Sequence, residues 1–304
     1  MELKKSSNNG LKIRDDMLVG VYGSNLTRKN DVRGVKNMTD YKKALEAPEY
    51  NFLAKDARLK NIILLGVSGS HGYGTNVEGS DLDVRGIAVN SSREILLGRD
   101  FEQVCDSMTD TVIYSLRKAV RLLSSCNPNM IEMLGLKPEH YLRLSPVGKA
   151  LIENSDMFLS RVAIKSFGGY ANQVLTRLTN DIGEGSEESK RVRERRNSNA
   201  IRHNKVGKHA MHLVRLHYMA FDILEKGIIK TYRDEEHDLL MSIRNGDFLT
   251  TEGKPNANFY AIVEGLTDRL AYAKKHTVLP EKPDIERIED FLITVHKQIL
   301  IEEG

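Results

Sequence analysis

Apolar residues fall in two rhythms along this chain, and the change from one to the other comes near residue 145. Before that point the runs are short. "NIILLGV", residues 61–67, is a near-continuous apolar stretch bounded by a glycine turn, the pattern of a buried strand. "SDLDVRGIAV", residues 80–89, alternates polar and apolar positions as a second strand does, and "FEQVC", residues 101–105, reads as a third. The segment "DTVIYSLRKAVRLLSS", residues 110–125, carries Val112, Leu116, Ala119, Val120 and Leu123 at helical spacing, with Asp110 as its N-cap, and predicts a helix. "NMIEMLGL", residues 129–136, is apolar on both sides of Glu132 and fits a central strand or a helical turn equally well.

Beyond residue 145 the spacing is three to four throughout. Residues 161–180, 197–226, 257–275 and 284–302 each predict a helix with one buried face, as in Ile285, Ile288, Leu292, Val295 and Ile299. Gly227 and Gly246 stand where helices should stop. The first 60 residues are polar and rich in turn signals such as "SSNNG" and "RKNDVRG", and predict an arm laid on the body. The expected fold class is therefore α+β: an arm over residues 1–60, a small mixed-sheet domain over 61–145, and a mostly helical domain over 146–304.

Composition narrows the partners more than the fold. With 304 residues, 40% of them hydrophobic, the chain has enough apolar material for an ordinary core. A formal charge of +3 is too small for a general polyanion binder, so any nucleotide or nucleic acid must be met by a local patch. The two cysteines, Cys105 and Cys126, form no C-x-x-C pair, which fits a reducing compartment and argues against a zinc site or disulfide framework. No apolar run reaches 18 residues and the first ten lack a hydrophobic signal core, so the expectation is a cytoplasmic protein with no membrane partner.

The candidate chemistry lies in "GVSGSHGYGTNVEGSDLDVRGI", residues 66–87. Side chains two apart on a strand share a face, so Asp81 and Asp83 would project together with Cα atoms roughly 6–7 Å apart. Two like charges so close invite a cation. Mg²⁺ or Mn²⁺ suits carboxylate oxygens and keeps positions open for water and phosphate. Upstream, Gly69 and Ser70 bring small residues and backbone N–H groups to the end of a buried strand, where a phosphate could be held. No G-x-x-x-x-G-K-[ST] or G-x-G-x-x-G pattern competes.

The order of apolar strand, Gly69-Ser70, then Ser80-Asp81-x-Asp83 resembles the signature of the DNA polymerase beta superfamily of nucleotidyltransferases. "GSHGYG", "SDLDVRGI" and "NPNMIEML" are similar to one predicted nucleotidyltransferase family within it, some members of which are associated with RNA repair. The similarity is strongest over residues 62–136, extends to "FGGYANQVLTRL" and "KHAMHLVRL", and leaves out the N-terminal arm. The resemblance implies Asp81 and Asp83 as metal ligands and Gly69 and Ser70 gripping the triphosphate. It also implies a third carboxylate on a later strand, flanked by apolar residues, that readies the acceptor hydroxyl. Ile131-Glu132-Met133 has that form, so Glu132 is the candidate and Asp110 its rival. Arg85, on the strand face of the aspartates, would meet a phosphate or pair with them.

In the helical part, Lys190 to Lys208 is a dense basic run broken only by Glu194, fit for a triphosphate or an RNA backbone. Lys208, His212 and Arg215 lie three to four apart on one helical face. The resemblance implies that Lys205 or Lys208 reaches the nucleotide phosphates with Arg215 in support. His209 and His212 lack a third metal ligand, and Arg202 to His209 has the loose spacing of a helical ribonuclease motif. The expected function is a metal-dependent nucleotidyltransferase moving an NMP from an NTP to an acceptor hydroxyl, an RNA end favoured over a protein or small molecule. The alternative is a nucleotide- or RNA-binding module without transfer, or a ribonuclease built on the helical part.

Overall fold

The computed structural model describes residues 38–181 and 199–304. Most of the expected arm, residues 1–37, and the first half of the basic run, which falls within 182–198, lie outside the described residues, as do the side chains of 199–204.

Short helices α1 (Met38–Ala44) and α2 (Phe52–Lys55) lead into strand β1 (Asn61–Val67). Helix α3 (Gly69–Tyr73) and a loop return the chain to β2 (Val84–Val89), and α4 (Ser92–Leu96) follows. Next come β3 (Gln103–Asp106), β4 (Thr111–Ser115), α5 (Leu116–Ser124), α6 (Pro128–Ile131) and β5 (Tyr141–Leu144). The rest is helical: α7 (Pro146–Glu153), α8 (Val162–Asp181), α9 (Asn199–Lys226), α10 (His237–Asn245), α11 (Ala257–His276) and α12 (Ile285–Glu302). The protein is α+β, a mixed five-stranded sheet in the order β3-β4-β2-β1-β5 with helices around it.

All three expected strands form, and the four long helical stretches appear within two residues of their expected limits. Gly227 and Gly246 take left-handed φ values of 65° and 96° directly after α9 and α10. "NMIEMLGL" resolves as the end of α6 followed by a 3₁₀ turn over Glu132–Leu134.

One expectation is overturned. Residues 111–115 are not the start of a helix but strand β4, and Asp110 caps nothing. The cap is Ser115, whose hydroxyl accepts from the Lys118 N–H. The physical reason is local: Thr111, Val112 and Ile113 are β-branched and Tyr114 is aromatic, side chains that suit a pleated surface, and their burial alternates along the strand. The helical face begins only at Leu116, with Ala119, Val120 and Leu123 buried.

The sheet is covered on both faces. Tyr41, Tyr50, Leu53 and Leu59, from within the segment expected as an arm, pack against Leu65, Val67, Val84, Ala88, Val104, Ile113 and Leu142. On the other face one apolar cluster runs from Ile63, Ile87 and Val89 through α5 into α9 at Val214 and Phe221 and α12 at Phe291.

Candidate active site

β2 and β4 are parallel neighbours with Val84 opposite Thr111, so the residues that precede them, Asp83 and Asp110, enter the sheet side by side. Their carboxyls come within hydrogen-bonding reach of each other. Burial, then the hydrogen bond to Asp110 and its charge, raise the Asp83 carboxyl from the usual carboxylate range to about 7, against the opposing pull of Arg85 and Lys208. Asp110 adopts φ 42° at the mouth of β4. Its carbonyl accepts from Arg85 Nη1 at 2.7 Å, and its carboxylate lies 3.5 Å from Arg85 Nη2. Arg85 thus braces the partner of Asp83.

Gly69 closes the site from the β1 side. Its φ is 59°, and a Cβ placed there would sit 1.7 Å from Asp83 Oδ2, so only glycine admits the carboxylate at this spot. The Ser68 N–H donates to the Asp83 carbonyl at 2.9 Å, which ties the turn to the base of β2. Ser70 is the second residue of α3, and its carbonyl accepts from the Thr75 N–H. Asp81 is exposed and lies on the approach to β2, outside the strand itself.

Glu132 has a different setting. It is 3% exposed, accepts from Ser68 Oγ at 3.1 Å and from Tyr73 OH at 2.5 Å, and lies 3.8 Å from Arg215 Nη1. Burial raises its carboxyl, while Arg215, Tyr73 and Ser68 oppose that. Arg215, 1% exposed, stacks its guanidinium 3.4 Å over the Tyr73 ring and meets His212 and Met219. These groups form a buried post beneath α3. Among the described residues no three His, Cys, Asp or Glu side chains gather closely enough to hold a metal ion, so neither Glu132 nor its rival Asp110 forms a ready trio with Asp81 and Asp83. On α9, Lys205 and Lys208 are exposed, and Lys208 is near enough to act on the charge of Asp83. Among the described residues His209 and His212 gather no third ligand, and the Arg202 side chain lies outside them.

Two carboxyls in contact, one of them raised by burial and by its neighbour's charge, make a donor set that a hard divalent cation would complete. Mg²⁺ is commonly held by one or two carboxylates, with water and substrate phosphate filling the other positions. The residues present fit such an ion.

Residues 40–294 match the profile of RlaP, the RNA repair pathway DNA polymerase beta family. The chain belongs to this family. The RlaP match takes in residues 40–60, which the sequence resemblance had left outside. A curated relative, described as an uncharacterized 38.9 kDa protein in the nrdC-mobD intergenic region of Enterobacteria phage T4, is 30% identical over 118 residues. That alignment takes in 34% of this chain and 35% of the phage protein, so the chain spans about a third of its relative's length. A solved nucleotidyltransferase-like protein from Exiguobacterium sibiricum is 10% identical, covering 86% of this chain and 75% of its own, with a TM-score of 0.28. The chain is thus nucleotidyltransferase-like by family, and no helix among its described residues is long and apolar enough to cross a membrane.

Sequence reasoning did not single out Ser68 or Tyr73. Neither carries a signal alone; their roles come from the fold of α3 over Glu132. Asp110 had a signal that was misread, since the β-branched run after it marks a strand entry.

Proposed function

We propose that this RlaP-family chain is a metal-dependent nucleotidyltransferase that moves an NMP from an NTP to an acceptor hydroxyl, with an RNA end as the favoured acceptor. The observation that carries the reading is the contact of Asp83 with Asp110 at the mouths of two parallel strands, directly against Gly69. Asp83 and Asp110 would hold Mg²⁺ or Mn²⁺, and Asp81, exposed on the adjoining loop and not gathered with them in the structure, would be drawn in by the ion. When bound, the ion would offset negative charge on the phosphates as the α-phosphorus changes partners.

In this reading the chain's own groups position and shuttle. Gly69 and Ser70 face the β- and γ-phosphates with backbone N–H groups, and Lys208, with Lys205 one turn earlier, supplies positive charge from α9. The acceptor oxygen attacks the α-phosphorus, the bond to the bridging oxygen breaks, and pyrophosphate leaves. Asp110, whose side chain is 61% exposed, takes the proton of the acceptor hydroxyl. Arg85 keeps the Asp110 carboxylate aimed. Glu132 acts at one remove: with Arg215 it supports Ser68 and Tyr73, and so the turn that grips the triphosphate. The family description and the exposed lysines of α9 support RNA as acceptor over protein or a small molecule.

The test is incubation with Mg²⁺ or Mn²⁺, each α-labelled NTP in turn, and total RNA or lysate protein, beside Asp83→Asn and Asp110→Asn. Wild type should label RNA, and each variant should lose roughly a hundredfold or more of that rate. Label in protein would move the acceptor. Bound NTP with no label in any fraction would instead indicate a binding module.

A further inference from the structure

His71 is buried directly behind the triphosphate turn, on α3 one residue after Ser70, and nothing above gives it a task. Its two ring nitrogens face two different parts of the chain. Nε2 lies 3.3 Å from the carbonyl oxygen of Ser80, and Nδ1 lies 3.2 Å from the hydroxyl of Tyr41 on α1. A carbonyl can only accept, so Nε2 carries a hydrogen and donates it to Ser80. Tyr41 is 1% exposed and meets the His71 ring edge to face, with centroids 5.7 Å apart, so the imidazole is held in plane as well as at Nδ1.

Ser80 is the residue before Asp81. The loop behind it is tight, with Ser80 N–H donating to the Val77 carbonyl and Ser80 Oγ accepting from the Val77 N–H. On the far side of Asp81, the Asp83 carbonyl is fixed by the Ser68 N–H. Asp81 is therefore strung between two anchored carbonyls, and both anchors, Ser68 and His71, flank the Gly69-Ser70 turn. We infer that His71 is a positioning residue for Asp81: its Nε2–H, locked by Tyr41, holds the Ser80 carbonyl so that the exposed Asp81 carboxylate stays within reach of the cation held by Asp83 and Asp110 and can close on it when the ion binds. This rests on the reading of Asp81 as a metal ligand. It gives one imidazole the job of setting the distance between the phosphate turn and the first carboxylate.

The experiment reads metal binding by the full chain and needs no turnover. Free Mn²⁺ is followed by electron paramagnetic resonance in the presence of inorganic triphosphate, for wild type, His71→Asn, His71→Gln, Asp81→Asn and the double variant His71→Asn with Asp81→Asn. Asn places an acceptor near the Nδ1 position and nothing at Nε2; Gln reaches to the Nε2 position with a donor. His71→Asn should bind Mn²⁺ about tenfold more weakly, the effect of one lost positioning hydrogen bond, and His71→Gln should recover most of that loss. The two changes should not multiply: in the Asp81→Asn background, His71→Asn should add less than about twofold, because there is no longer a carboxylate to aim. Thermal melts report whether each variant is folded. If His71→Asn is not, Tyr41→Phe takes its place with a loss of a few fold in the same direction.

Wild-type affinity in His71→Asn, or a full tenfold loss repeated in the Asp81→Asn background, overturns the inference while leaving the metal site standing. Unchanged affinity in Asp81→Asn removes Asp81 from the site and this inference with it. No Mn²⁺ binding by wild type removes the proposed function as a whole.

Discussion

The most informative residue is Asp83, because its environment makes the site sensitive to both protons and metal. Its carboxyl is raised to about 7 in the folded chain by burial and by Asp110, against about 3.9 in an unfolded one. Between those values the folded state holds more protons than the unfolded state, so this group makes stability fall as pH rises from about 4 to about 7. Asp83→Asn removes that slope, and at pH 8 it should melt no lower than wild type even though transfer is lost. A cation that binds the deprotonated pair offsets the same repulsion, so Mg²⁺ should raise the melting temperature more at pH 8 than at pH 5. Paired melts at the two pH values, with and without Mg²⁺, check both; equal increments would mean that Asp83 is not where the ion binds. At this scale the sequence was legible for charge and poorly legible for partners. The D-x-D pair and the Gly69-Ser70 turn could be read from their order alone. That Glu132 would be met by Ser68, Tyr73 and Arg215 depends on α3, the 3₁₀ turn and α9 meeting in space, which no local pattern records.

Among the elements, long periodic helices were easy to find and the short strand β4 was not. Apolar residues at 112, 116, 119, 120 and 123 satisfy helical spacing even though the first of them belongs to a strand, because a strand running straight into a helix keeps one face apolar through the junction. That single misreading gave Asp110 to a helix cap and hid its pairing with Asp83. A second element-level feature lies where α9 meets the segment before α10. Arg233 is fully buried, donates to Asp222 Oδ2 at 2.6 Å, and offers its own N–H to the Tyr73 carbonyl. The pair therefore links the C-terminal end of α9 to the end of α3. Removing the acid alone leaves a guanidinium uncompensated in the interior, which costs about 3–5 kcal/mol. Asp222→Ala should therefore lower the midpoint of urea unfolding markedly, whereas removal of the exposed partner in the Lys230 and Asp234 pair should shift it by about 1 kcal/mol or less. A small shift for Asp222→Ala would show that Arg233 finds water in place of its carboxylate.

For the whole molecule, the consequential question is what covers the sheet. A polar, turn-rich start reads as an arm because its few apolar residues, among them Tyr41, Tyr50, Leu53 and Leu59, follow no period; short helices and 3₁₀ turns place them without one. They nevertheless form one layer of the core against seven sheet residues. Burying such a side chain contributes about 1.5–3 kcal/mol, so the four together contribute roughly 6–12 kcal/mol, the same size as the entire stability of a typical domain, about 5–15 kcal/mol. A chain beginning at Met38 keeps every one of these contacts, whereas one beginning at Asn61 exposes the apolar face of β1, β2 and β4 to water. The first should give a cooperative thermal transition, and the second should be insoluble or melt without one. The comparison also bears on the site, since Tyr41 reaches His71 and the charge of Asp83 acts on Tyr50. A truncation at Asn61 that melted cooperatively within a few degrees of the full chain would mean that the helical face alone holds the sheet. The segment over residues 38–60 would then serve the active site and not the fold.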